Sequence, residues 1–225
     1  MANTAFVLNG NVGIVTSRQL IAGNSAYFVV TNPTAGTAIT AAAQTGFSAT
    51  ANGLFLIQNT GQKTIYLDYL SLILTGTAPT ATTVMRFEVF NETGLVTGTS
   101  NVATRTPVGL NTGGTQATGA IVQSFSAGQI TIPAAVGTRR LQSVIALPTS
   151  LGVTGDNYVI QFGADGTPAG AGAITAARAT APARLVASAP PVVIAPNTTS
   201  WINNWWLTQA TNAASYEFEL TFAEL

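Results

Sequence analysis

Four glutamates are the side chains in this sequence best placed to do chemistry: Glu88 and Glu92 in TVMRFEVFNE, and Glu217 and Glu219 in ASYEFELTF. Paired carboxylates are the working parts of a glycoside hydrolase, one as acid and one as base or nucleophile. Residues two apart on a strand share a face, so Glu217 and Glu219 stand about 7 Å apart by strand geometry. No surrounding cleft is legible in the sequence. The plainer reading makes both glutamates outward positions that keep an apolar strand wet, and the functional one makes them partners for something basic. Asp156 in TGDNY and Asp165 in GADGT flank one strand and raise the question of calcium. A calcium site needs about six or more oxygens, and this spacing matches no metal loop; turn residues at two strand ends explain both. No metal and no cofactor is expected.

The chain contains no histidine and no cysteine. The first absence removes Ser-His-Asp and Cys-His catalysis, histidine metal sites and the commonest general base near neutral pH; the second excludes a disulfide scaffold. Glycine-rich runs such as NTGGT and PAGAG lack the strand-then-helix context of a phosphate-binding loop. A catalyst is the least expected class.

Binding chemistry is better represented. In SWINNWW, strand alternation puts Trp201, Asn203 and Trp205 on one face and Ile202, Asn204 and Trp206 on the other. Tryptophans with amides suit plain core, a protein interface, where aromatics supply much of the binding energy, or a carbohydrate platform; the sequence leaves the three open. Arg139 and Arg140 form the one adjacent basic pair, and Arg178 and Arg184 sit in an alanine-rich tract. In so neutral a chain, arginines are candidates to grip a partner's carboxylates through bidentate contacts. The candidate interface is therefore Trp201, Trp205, Trp206, Arg139, Arg140, Arg178 and Arg184.

The elements that must carry these residues read as strands. AYFVV (26–30), LFLIQN (54–59), TIYLDYLSLIL (64–74) and TTVMRFEVF (82–90) come first; the second and third are joined at Gly61 and read as a hairpin. Apolar residues lie on both faces of the third, which suits a central strand covered on both sides. In the fourth, Met85, Phe87 and Val89 oppose Arg86 and Glu88. Residues 91–127 read as loops and short edge strands. GQITIPA, LQSVIAL, NYVIQFG, VVIAP, TTSWINNWWLTQ and SYEFELTF follow. The best helix candidate is a short one near AITAARA. Short strands with glycine, proline and asparagine turns predict an all-β, antiparallel β-sandwich, jelly-roll-like, in a single domain spanning 1–225. Small-residue stretches near 31–52 and 163–190 read as long loops or extended arms.

Composition narrows the setting. At 225 residues the chain can bury a sizeable core, and only 7% of it is charged, against roughly 25% in an average soluble protein. Eight basic and eight acidic residues cancel. That removes the electrostatic drive toward nucleic acid or anionic membrane, and a near-neutral surface favours association. The start MANTAFVLNGNVGIV has no basic segment of the signal-peptide kind, so synthesis in a cytoplasm is expected.

IYLDYLSLIL, MRFEVFNETG, PPVVIAPNTTSW and SYEFELTFAEL, with Thr-, Gly- and Ala-rich spacers between them, resemble β-sandwich structural proteins of tailed bacteriophages. The resemblance is to head decoration, or cement, proteins, and it is one of style and strand phrasing over most of the chain. It implies a jelly-roll-like subunit present in many copies on the virion's capsid surface, associated as a homo-dimer or homo-trimer and clamping neighbouring major capsid proteins. It carries over no catalytic residue, and it makes the segments 31–52 and 163–190 the ones expected to touch neighbours. Two alternatives stand beside it. A fibre-associated or receptor-binding module would present the tryptophans to carbohydrate. A jelly-roll coat protein is disfavoured because Arg18 is the only basic residue among the first fifty.

Overall fold

The computed structural model describes residues 3–8, 11–16, 26–32, 38–40, 51–76, 83–100, 102–111, 118–125, 130–149, 152–163, 182, 184–206 and 214–225. Among them the chain is all strand and connection, without a helix. Strands β1 (Asn3–Leu8) and β2 (Asn11–Thr16) form a two-stranded antiparallel sheet. The rest are β3 (Tyr27–Thr31), β4 (Ile39–Thr40), β5 (Ala51–Asn59), β6 (Ile65–Gly76), β7 (Thr83–Glu92), β8 (Val102–Arg105), β9 (Val108–Gly109), β10 (Ala120–Phe125), β11 (Ile130–Thr131), β12 (Arg139–Thr149), β13 (Asn157–Phe162), β14 (Arg184–Ala189), β15 (Val193–Ile194), β16 (Thr199–Trp206) and β17 (Ser215–Glu224).

They make two sheets packed as a sandwich. Sheet I runs β12-β7-β16-β5-β10-β8, with β11 against β5; sheet II runs β14-β13-β6-β17-β3-β9, with β4 against β17 and β15 against β6. The pairing follows one rule across both. β3 pairs with β17, β5 with β16, β6 with β13 and β7 with β12, each antiparallel. In these four pairs β3, β5, β6 and β7 meet β17, β16, β13 and β12 in reverse order, as if one long hairpin had been rolled so that its arms alternate between two layers.

The core lies between the sheets because alternation points every second residue inward. From β17, Tyr216, Phe218, Leu220 and Phe222 are buried. Phe218 meets Phe55 of β5 edge-on at 4.8 Å, Phe222 stacks on Phe28 of β3 at 5.4 Å, and Tyr216 meets Tyr158 of β13 at 6.4 Å. Such contacts add about 0.5–1.5 kcal/mol each beyond the area they bury. β7 contributes Met85, Phe87 and Val89 to the same layer, as its alternation predicts.

Three expectations are corrected. β5 and β6 do not form a hairpin: the Gly61 turn carries the chain from sheet I to sheet II, and each strand finds its partners among later ones. Apolar residues on both faces of each strand gave no sign of which neighbour it would take. β6 is central, as expected, yet its outer face is half open, with Tyr66 and Ile73 exposed. The tract 163–190 ends not as an arm but as β14, which lies parallel to β13 from Arg184 opposite Asn157 to Ala189 opposite Phe162. Most of the 31–52 segment, most of the rest of 163–190 and the helix candidate near AITAARA fall outside the described residues.

One close approach fixes the Gly61 turn. Thr60 donates its amide to the Gly119 carbonyl at 2.9 Å, and a Cβ on Gly119 would sit 2.4 Å from the Gly61 Cα. Only glycine at both positions allows the backbones to touch.

Candidate functional site

Trp201 and Arg139 of the candidate interface lie on the outer face of sheet I, and that face is covered. Trp201 of β16 is fully buried, its ring stacked on Phe90 of β7 at 5.1 Å and nearly parallel to it. The Arg139 guanidinium lies over the Trp201 ring at 4.8 Å. Its Nε and Nη2 donate to Glu92 Oε2 at 2.9 and 2.8 Å, and Nη2 also donates to the Pro133 carbonyl at 2.8 Å. The other carboxylate oxygen of Glu92 accepts the amides of Val136 and Gly137, the latter at 3.0 Å. Glu92 is thus a buried charge with its partner and hydrogen bonds supplied from within the chain, as a buried carboxylate requires.

The cover comes from the segments after β7 and before β12. Val96 and Ile132 join the core cluster. Gln58 donates to the Val96 carbonyl and to Thr97 Oγ1, and Thr199 Oγ1 accepts the Val96 amide at 2.9 Å and donates to the Gly94 carbonyl at 2.8 Å. Trp201 and Arg139 are therefore internal, not a free interface. Sequence alternation puts Trp201 on one face with Asn203 and Trp205 but does not say whether that face is open; nothing in it announces that loops fold back over it.

Further along, Trp205 is 7% exposed and Glu88 3%. Burial pushes the Glu88 carboxyl above the usual carboxylate range; polar groups of Trp205 and Asn203, and the charge of Arg86, pull it partly back. Trp201 and Trp205 are both buried, so neither ring is laid out as a platform for sugars. Trp206 ends β16, and its side chain lies outside the described residues, as do Arg178 and Asp165.

Asp156 is a turn residue. It is fully buried and its Oδ2 accepts the Val153 amide at 2.9 Å and the Tyr158 hydroxyl at 3.1 Å, which closes the Gly155 turn into β13. Among the described residues no group of three or more acidic side chains could hold a metal ion.

The open chemistry is elsewhere. Arg140 is exposed beside a depression of about 330 Å³ whose walls include Asn91, Thr138 and Val193. On the outer face of sheet II, Glu217 and Glu219 point outward as their alternation predicts. Tyr69 donates its hydroxyl to Glu219. The two glutamates, with Thr31, Asn32, Ser71 and Ile73, line a depression of about 380 Å³. Arg184 is exposed on β14 at the edge of the same sheet. The sheet face thus carries two adjacent carboxylates and, at its edge, one guanidinium. Compared with protein-family models, curated proteins and solved structures, the chain matches none of them.

Proposed function

We propose that this chain is a non-enzymatic virion structural protein that binds the outside of a tailed-phage capsid and stabilises the shell. The observation that carries the reading is the pairing of β3, β5, β6 and β7 with β17, β16, β13 and β12, in reverse order across two sheets. We read this order as jelly-roll winding, an architecture shared by viral capsid and lectin domains. Fold alone does not fix function, so the surface must choose between those uses. Burial of Trp201 and Trp205 speaks against the lectin use. The outer face of sheet II, where Ile73, Ser71, Asn157 and Val186 lie among Arg184, Glu217 and Glu219, supports the reading as a polar surface suited to another protein. A protein that binds the assembled lattice and not the free subunits stabilises the shell by mass action.

In this reading the partners are the major capsid protein and further copies of the chain, and the chain is made in the host cytoplasm and ends on the virion. The test is saturable co-sedimentation with heads assembled without it, imaged by electron cryo-microscopy. Ordered density over the lattice supports the reading. Absence of binding would overturn it.

A further inference from the structure

The depression beside Arg140 lies where the ends of β7 and β12 in sheet I come up to β15 of sheet II. Arg140 stands directly opposite Asn91 in the strand register, so the two side chains share a face. Hydrogen bonds hold the walls in place. Asn91 Nδ2 donates to Gln142 Oε1 at 2.7 Å, and Gln142 Nε2 donates to the Pro191 carbonyl at 2.7 Å, which ties the end of sheet I to the segment leading into β15. On one rim the Thr93 amide donates to the Thr138 carbonyl at 3.1 Å and the Thr138 amide to Thr93 Oγ1 at 2.8 Å. On the other, Thr198 Oγ1 donates to the Ala195 carbonyl at 2.7 Å. Arg140, Thr138, Val193 and Ala195 are exposed, so the depression is open to solvent.

Accessible charge in this protein is one-sided, although formal charge cancels. Seven of the eight acidic residues lie among the described residues, and none of them is exposed: Glu88, Glu92, Asp156 and Glu224 are buried, and Asp68, Glu217 and Glu219 half-buried. The exposed charged side chains among the described residues are Lys63, Arg140 and Arg184, all cationic. Lys63 lines a hollow that also holds Glu224. Glu92, in the wall beside Arg140, has both carboxylate oxygens engaged by Arg139 and by the amides of Val136 and Gly137. The Arg140 side chain makes no ion pair or hydrogen bond with any described residue. A guanidinium left free over a walled depression can give its five N–H donors to a ligand.

We infer that the Arg140 depression is a carboxylate-binding site that takes an aspartate or glutamate side chain of a protein partner. The planar guanidinium matches the two oxygens of one carboxylate, and a charge-assisted pair of this kind is short and directional. Thr138 lines the same hollow and carries a hydroxyl, and Val193 and Ala195 supply apolar surface for the methylenes behind the carboxylate. A nucleic-acid backbone would need a row of cations, whereas Arg139, next in sequence, is taken up by Glu92 and Trp201. On the capsid reading the carboxylate belongs to the major capsid protein, but the site does not rest on that reading.

Nuclear magnetic resonance on the isotope-labelled full chain tests it with N-acetyl-aspartate amide, its neutral isostere N-acetyl-asparagine amide, and inorganic phosphate. Two charge-assisted hydrogen bonds of ordinary strength correspond to a dissociation constant on the order of 1 mM. The aspartate probe should therefore shift the Arg140 Nε–H and Thr138 signals saturably, and the asparagine probe should not. Arg140→Gln should weaken binding about 10-fold or more, and Arg184→Gln, at another exposed cation, should leave it unchanged. Because the Arg140 side chain is exposed, Arg140→Gln should keep the wild-type melting temperature; should it fail to fold, the wild-type shifts decide. No saturable shift at Arg140, an equal response to the asparagine probe, or equal weakening by Arg184→Gln overturns the inference. So does phosphate binding about 10-fold or more tighter than the aspartate probe, which would make this a phosphate site. Co-sedimentation with heads separates the two readings. Aspartate binding without attachment to heads overturns the capsid reading and leaves this site standing; attachment to heads without aspartate binding does the reverse.

Discussion

Replacing Arg139 by alanine should unfold the protein more easily and should not act through a partner. Two of its guanidinium nitrogens hold Glu92 Oε2 at 2.8 and 2.9 Å, the Glu92 side chain is wholly buried, and the guanidinium covers the Trp201 ring. Removing one member of a buried pair leaves the other as an uncompensated charge, which costs about 3–5 kcal/mol. At about 2–4 °C per kcal/mol for a chain of this size, the melting temperature should fall by about 6–20 °C. Glu92→Gln in the Arg139→Ala background should recover part of the loss, because no charge is then stranded. Chemical denaturation of the four proteins of that cycle gives a coupling of about 0.5–3 kcal/mol for residues in such contact. Arg139→Lys keeps the charge, loses the planar fork and ring stacking, and should fall between. The reasoning is refuted if Arg139→Ala melts within about 2 °C of wild type, the range of an ordinary surface substitution. Loss of head attachment at unchanged stability would return Arg139 to an interface role.

Three further outcomes follow from the same structure. Trp201→Ala should cost about 3–5 kcal/mol by calorimetry or denaturant titration, the usual loss for a large aromatic removed from a core. Gly119→Ala should cost about 1–3 kcal/mol, since its methyl would drive against the Gly61 backbone; melting curves decide. Glu88 has a folded pKa raised by burial, so the fold holds its proton more tightly than the unfolded chain does. Its contribution is most favourable below the unfolded carboxylate value and is lost as pH rises through the folded value. Glu88→Gln should therefore be the more stable protein at pH 8, and its advantage over wild type should shrink toward pH 4 in paired melts.

The parts of the fold visible in the sequence are those where alternation is written in large side chains. β17 and β7 are examples: Tyr216, Phe218, Leu220 and Phe222, or Met85, Phe87 and Val89, leave little choice of face. β14 shows the opposite case. Arg184 to Ala189 alternates exposed and buried as cleanly as any strand, but two of its three inward residues are alanines inside an Ala- and Gly-rich tract, where a period of two carries little contrast. β5 and β6 were misjoined because local turn chemistry at Gly61 cannot distinguish a hairpin from a crossing between sheets. Of the candidate residues, Glu217 and Glu219 were read correctly as outward. Trp201 and Arg139 were not placed, since their burial depends on segments near Val96 and Ile132 that have no pattern linking them to β16. The pairing of Glu92 with Arg139 joins residues forty-seven positions apart in the chain, a contact no spacing rule reaches.

The central claim is that this rolled sandwich binds an assembled capsid lattice. Its most direct measurement compares binding of the purified chain to intact heads lacking it with binding to dissociated major capsid protein at the same concentration of capsid subunit. Saturable binding to heads, and none to free subunits, is the expected result. Equal binding to both, or no saturable binding to heads, would contradict the claim.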